Sequence, residues 1–298
     1  MLSPLGLLRS QVSMPWAEIP EGRMLDLRGR GSTYVTDTPG PAPDSPTVVL
    51  LHAIGTTGLL TWYPSIKPLS ERYRVVTLDQ RWHGRGIQSP AFSLHDCADD
   101  VAALVTTLGL TRVIVAGFSM GSVIAQRVWR QHPGLVDGLV LCATTDRFRS
   151  TVTERVFHEG LEWAMAGARG FSRSRTATQA ARTATRALDL EPLPIHDWAL
   201  EEFRSTSPWA VAQAVAAIGR HHSAPWLSRI DVPTAVVIPR QDKVIPPSRQ
   251  LAVARRIPGA TIHDIDAGHA CCVLEAEVFV PALIEAVNTV NARRPRPS

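Results

Sequence analysis

Residues 113–129, VIVAGFSMGSVIAQRVW, constrain the fold of this chain more than any other stretch. Val113 to Ala116 form a β-branched apolar run with the length of a buried strand, and Val123, Ile124, Val128 and Trp129 follow at helical spacing. Ser119 therefore falls on a tight strand-to-helix turn. Gly117 and Gly121 flank it without Cβ atoms where strand, turn and helix approach closely, which lets the serine take a strained, outward-facing conformation. A serine hydroxyl is a weak nucleophile at neutral pH. To act as one it needs a histidine base, and that histidine needs an acid to fix its tautomer and stabilise its charged form.

Both partners have candidates downstream. Thr234 to Ile238 is a second strand-like run, followed by a polar loop with Asp242, the proline pair Pro246 and Pro247, and a helical stretch from Ser248 to Arg256. Ala260 to Ile265 alternates as a strand and leads into the loop DAGHA, which carries His269 ahead of the last helix. Serine, acid and histidine thus follow in the chain order that a G-x-S-x-G strand–turn–helix implies. A second acid competes. Asp146 follows the strand Gly138 to Cys142, although its neighbours Arg147 and Arg149 also suit it to a hinge or a helix cap.

With VVLLHAIGTTG at 48–58 and YRVVTLDQRWHGRG at 73–86, these motifs resemble the α/β-hydrolase family, and the resemblance runs from about Met24 to Asn291. It implies Ser119 as nucleophile, His269 as general base and Asp242 as orienting acid, with Asp146 as the alternative acid. The backbone N–H groups of Ile54 and Met120 are the implied oxyanion hole. The family usually carries glycine after the oxyanion-loop histidine, whereas this chain has Ala53, which narrows the conformations open to that loop. No cofactor is implied. The implied activity is hydrolysis of carboxylic esters of apolar acyl groups through an acyl-enzyme on Ser119. Thioester hydrolysis, carbon–carbon bond hydrolysis, perhydrolysis and acyl transfer use the same triad and stay open. Epoxide hydrolases and haloalkane dehalogenases of the family carry an aspartate at the elbow, and Ser119 sets them aside. A small-ligand receptor that keeps the triad is the alternative from another class.

The remaining pattern gives an α/β fold. Strands are expected at Met24 to Leu27, Thr33 to Asp37, Val48 to His52, Arg74 to Leu78, Arg112 to Ala116, Gly138 to Cys142, Thr234 to Ile238 and Ala260 to Ile265. The later six alternate with amphipathic helices, which predicts a mostly parallel central sheet covered on both faces. Residues 147–226 show no strand signal and read as an inserted helical cap, with 23–146 and 227–292 as the core, 1–22 as a flexible N-terminal extension and 293–298 as a disordered tail. The cap carries Trp163, Trp198, Trp209 and Trp226 with Phe157, Met165, Phe171 and Phe203, either as its own small core or as the lining of an acyl pocket. Its run of Arg169, Arg173, Arg175, Arg182 and Arg186 is a solvated face, or a surface for transient membrane contact with anionic lipid or for acyl groups bearing phosphate or carboxylate.

Composition narrows the partners to a small-molecule ester or acyl substrate. A content of 45% hydrophobic and 19% charged residues is that of an ordinary globular protein. The net charge is +4, and of 31 basic residues only Lys67 and Lys243 are lysine, a bias expected of a GC-rich bacterial genome. No basic block is interleaved with stacking aromatics, so nucleic acid is set aside. No apolar run reaches the roughly 20 residues of a membrane span, and the N-terminus lacks an export signal, which points to the cytoplasm. Oligomeric state leaves no trace in the sequence. The four cysteines have no metal spacing: Cys97 lies on the apolar stripe Leu94, Ala98, Val101, Leu104, Val105 and Leu108, and Cys271 and Cys272 sit just past the base. No histidine pairs with a carboxylate at ligand spacing, so no metal site is expected. His52 is expected to hold backbone, and His83, His221 and His222 have no catalytic assignment.

Overall fold

A computed structural model describes residues 14–15, 17–149 and 194–294. All eight expected strands form, each within two residues of its expected limits: β1 (Gly22–Leu27), β2 (Gly31–Thr38), β3 (Thr47–Leu51), β4 (Arg74–Leu78), β5 (Val113–Phe118), β6 (Val136–Cys142), β7 (Thr234–Pro239) and β8 (Thr261–Ile265). They make one sheet in the order β1-β2-β4-β3-β5-β6-β7-β8. Only β2 runs against its neighbours; from β4 to β8 every pairing is parallel. Every residue of β3, β5 and β7 is buried, as continuous β-branched runs in a sheet covered on both faces must be.

Helices cover both faces. On one, α2 (Leu94–Thr107), α3 (Met120–Gln131) and α6 (Pro247–Arg256) pack through Val101, Leu104, Val123, Ile124 and Val253 onto Val49, Leu51 and Val115. On the other, α1 (Gly58–Ser70), the short α7 (Cys271–Leu274) and α8 (Ala276–Ala292) pack through Trp62, Ile66, Cys271, Phe279 and Leu283 onto Val48, Leu50, Ile114 and Ala116. Cys97 is buried in the first of these layers, as its stripe predicts. Thr57 and Ser93 cap α1 and α2 with their hydroxyls.

Between β6 and β7 the described residues hold two helices, α4 (Pro194–Arg204) and α5 (Pro208–Gly219). Most of the expected cap, including Phe157, Trp163, Met165, Phe171 and the arginine run, lies outside the described residues. The expected N-terminal extension differs from what is seen in its later part. The Pro15 carbonyl accepts the Tyr63 hydroxyl at 3.0 Å and Ile19 packs against the α1 layer, so the chain is tied to the body before β1 begins. At the other end Arg294 approaches Asp137 at 3.5 Å, while residues 1–13 and 295–298 lie outside the described residues.

Candidate active site

The elbow is built by close approach. A Cβ at Gly117 would lie 2.2 Å from the Gly121 carbonyl oxygen, and one at Gly121 would lie 2.0 Å from that of Leu51. Neither position has room for a side chain. Between them Ser119 adopts φ 53° and ψ −115°, in the left-handed half of the map, a conformation that costs a non-glycine residue about 1–3 kcal/mol. Its N–H donates to the Cys142 carbonyl at 3.0 Å, and its own carbonyl accepts the Ser122 N–H and hydroxyl at 3.0 and 2.6 Å. The strain is thus held from both sides of the turn.

The loops after β5, β7 and β8 bring three of the expected side chains together. Ser119 Oγ lies 3.1 Å from His269 Nε2, and His269 Nδ1 lies 2.8 Å from Asp242 Oδ2. Because the carboxylate can only accept, Nδ1 carries the proton and donates it. The lone pair of Nε2 is then left facing the serine hydroxyl. Asp242 is buried, and its Oδ1 accepts the N–H groups of Val244 and Ile245, each at 2.8 Å. Its Oδ2 also accepts Gln250 Nε2 at 3.1 Å. Arg240, a sequence neighbour that could have made Asp242 a surface ion-pair residue, pairs instead with Asp264 at 2.9 Å.

Asp146, the competing acid, points elsewhere. Its Oδ2 accepts Arg256 Nη1 at 2.5 Å and approaches Arg147 Nε at 3.4 Å, while its carbonyl accepts the Ser223 N–H. Its contacts thus join the exit from β6 to the loop at Ser223 and to the end of α6, and none of them is to His269.

In the loop after β3, the alanine raises no conflict. Ala53 keeps a negative φ, and the left-handed turn falls on Gly55, at φ 73°. His52 holds backbone as expected: Nε2 accepts the Gln80 N–H at 2.8 Å, so the proton on Nδ1 goes to the Ala53 carbonyl at 2.7 Å. Burial lowers its pKa to about 4, which keeps the ring neutral. Thr61 Oγ1 accepts the Ala53 N–H at 3.2 Å. Among the described hydrogen bonds neither the Ile54 nor the Met120 N–H has an acceptor, and Met120, as the first residue of α3, has none within its helix.

Sequence reasoning missed Gln250 and a buried polar cluster behind this loop. Glu202 of α4 accepts the Thr57 hydroxyl on Oε2 and Arg85 Nη2 on Oε1, the latter at 2.8 Å. Asp79 accepts the N–H groups of Gly58 and Arg85, each at 2.9 Å. Burial raises the pKa of both carboxyls. Nothing local marks Glu202, which reads as one charge of a solvated helix.

The aromatics of the inserted segment divide. Trp226 stacks on Trp129 of α3 with centroids 6.0 Å apart, Trp198 meets the buried Tyr63 edge-on at 5.2 Å, and Phe203 is 58% exposed. Trp226 and Trp198 thus make packing contacts with the core, and Phe203 lies at the surface. Cys142, Cys271 and Cys272 are buried, and burial raises all three thiols, Cys272 to about 12. The described residues contain no cluster of three or more histidine, cysteine, aspartate or glutamate side chains able to hold a metal.

A mostly parallel sheet covered on both faces, with serine, histidine and carboxylate meeting beyond the C-terminal ends of three of its strands, defines an α/β hydrolase. The family described as "alpha/beta hydrolase fold" matches residues 46–276, and the chain belongs to that family. Among curated relatives, the putative carbamate hydrolase RutD of Agrobacterium fabrum (strain C58) is 26% identical over 248 residues, 81% of this chain and 93% of the relative. Among solved structures, a hydrolase from Pseudomonas aeruginosa PA01 superposes with a TM-score of 0.71 at 22% identity, over 91% of this chain and 99% of the other. A thermophilic esterase from Thermogutta terrifontis gives 0.69 at 23% identity, over 91% and 99%. No described helix is long and apolar enough to cross a membrane.

Proposed function

We propose that this protein hydrolyses carboxylic esters of apolar acyl groups through an acyl-enzyme on Ser119. The observation that carries the proposal is the unbroken relay from Ser119 Oγ through His269 to Asp242, on a serine in a strained backbone conformation. His269 Nε2 takes the hydroxyl proton as Oγ attacks the ester carbonyl, and Asp242 steadies the imidazolium that results. The unpaired N–H groups of Ile54 and Met120 receive the charge that develops on the carbonyl oxygen. His269 then returns the proton to the departing alcohol oxygen. Water repeats the sequence and releases the acid. The buried Phe118 and Met120 beside Ser119, and Val211 of α5 lying 3.5 Å from where a Cβ of Gly55 would be, support an apolar acyl group.

A fluorophosphonate probe should label the protein once, and Ser119→Ala should abolish labelling in a protein that stays folded; labelling that survives the substitution refutes the nucleophile. Rates across esters of graded length should climb, each buried methylene adding about 0.8 kcal/mol, until the pocket is full. Equal turnover of acetyl and longer esters would show that the acyl chain is not read. The name of the curated relatives favours a second substrate class, carbamates, whose carbonyl takes the same attack. Turnover of carbamates with none of esters would select it.

A further inference from the structure

We propose that Glu202, on α4, is a positioning residue for the oxyanion loop, so that this helix of the inserted segment helps to complete the active site. The inference rests on the serine-hydrolase reading above. Residues 53–57 join β3 to α1 and carry the Ile54 N–H, and the loop is anchored on its core side by His52, Thr61 and Asp79. Its far end, Thr57, is anchored by the inserted segment. The Thr57 hydroxyl accepts the Leu60 N–H at 3.0 Å as the helix cap of α1 and gives its own proton to Glu202. That carboxylate is 9% exposed, a burial that surface helix charges do not have. Its other oxygen holds Arg85, whose guanidinium also approaches Asp79 at 3.6 Å and lies 3.5 Å from the centre of the Tyr34 ring. A second strut runs beside the first, from the Gly84 N–H to the Thr206 hydroxyl at 3.0 Å. Val211 of α5 closes over Gly55. The loop is therefore clamped between the core and α4–α5, with Glu202 as the only described carboxylate that reaches it from the inserted side.

A residue acting this way affects the acylation step more than substrate capture. Glu202→Ala should lower kcat on a simple ester about tenfold or more with little change in KM, and slow fluorophosphonate labelling of Ser119 by a similar factor. Glu202→Gln, which keeps an acceptor for Thr57, should recover most of the loss. Thr57→Ala should lower kcat too, and the loss in the double variant should be less than the sum of the two single losses, because both substitutions break the shared Thr57–Glu202 contact. Unaltered kcat and labelling in Glu202→Ala overturn the proposal, as do additive losses in the double variant or a loss carried by KM alone. Failure of the unsubstituted protein to label at all removes the hydrolase reading itself, an outcome distinct from normal labelling that ignores Glu202.

Discussion

Asp242 has four donors on its two oxygens and, among the described residues, no arginine or lysine in contact. An asparagine there keeps an acceptor for the Val244 and Ile245 N–H groups but turns its amide toward His269. The ring must then flip its tautomer and present an N–H to the serine. Asp242→Asn should therefore lower kcat by up to about 10⁴ without unfolding the protein, the scale seen when a triad aspartate is replaced in this manner. Asp146→Asn leaves the relay intact and should cost only stability, through the loss of its contact with Arg256. Steady-state kinetics on the two variants separates them, and a large loss at Asp146 with Asp242→Asn near normal would reverse the assignment. At this scale the sequence was readable wherever a residue is bound to a motif: the elbow, the acid loop and the histidine loop each announce themselves within a few positions. Gln250 and Glu202 do not, because a buried glutamine or glutamate on a helix has the local sequence of an exposed one. Only the partner across space distinguishes them.

The strands were legible as elements because the sheet is covered on both faces and leaves uninterrupted β-branched runs. Polar residues blurred the ends: Asp137 hid the first two residues of β6, and Gly117 concealed that β5 runs on to Phe118. Pro64 and Pro68 sit inside α1 and mask its helical period. Tertiary contacts override that signal, since Trp62 and Ile66 are buried against the sheet. The loop between β4 and α2 shows a further device invisible in sequence. Arg81 grips Asp100 of α2 through Nε and Nη2 at 2.6 and 2.7 Å, and Arg30 adds a third bond to the same carboxylate at 2.8 Å. Removing one partner of a buried pair strands the other, at a cost of about 3–5 kcal/mol. Asp100→Ala should lower the urea midpoint by a corresponding amount, and an unchanged midpoint would show that the pair does not hold this loop. Gly121→Ala should be more damaging at the elbow, because the added methyl meets the fixed backbone of Leu51 instead of a movable side chain.

For the whole molecule, acid is the expected weakness. Burial lowers the pKa of His52 to about 4 and of His83 and His221 to about 3, against an ordinary value near 6.5. Between those limits the unfolded chain holds protons that the folded chain refuses. The stabilisation is therefore complete above about pH 6.5 and is lost as pH falls through the window toward 3–4. Near pH 5 the three rings together make unfolding take up close to three protons, a slope of about 4 kcal/mol per pH unit. Urea unfolding between pH 5 and 8 gives the net uptake, from which Asp79 and Glu202, raised by burial, subtract on the acid side, and comparison with the protein in which asparagine replaces His221 isolates one ring: that replacement should remove close to one proton, and an unchanged uptake would contradict a neutral buried ring. The same sheet also fixes the order in which the molecule fails. His269 hangs from the turn after β8, a half-exposed strand at the sheet's edge that pairs with β7 alone, whereas Ser119 stands on β5 in the middle. Edge strands open before central ones. As denaturant rises, turnover should vanish while the circular dichroism of the sheet is still intact, so that catalysis gauges the least secure border of the fold rather than its core.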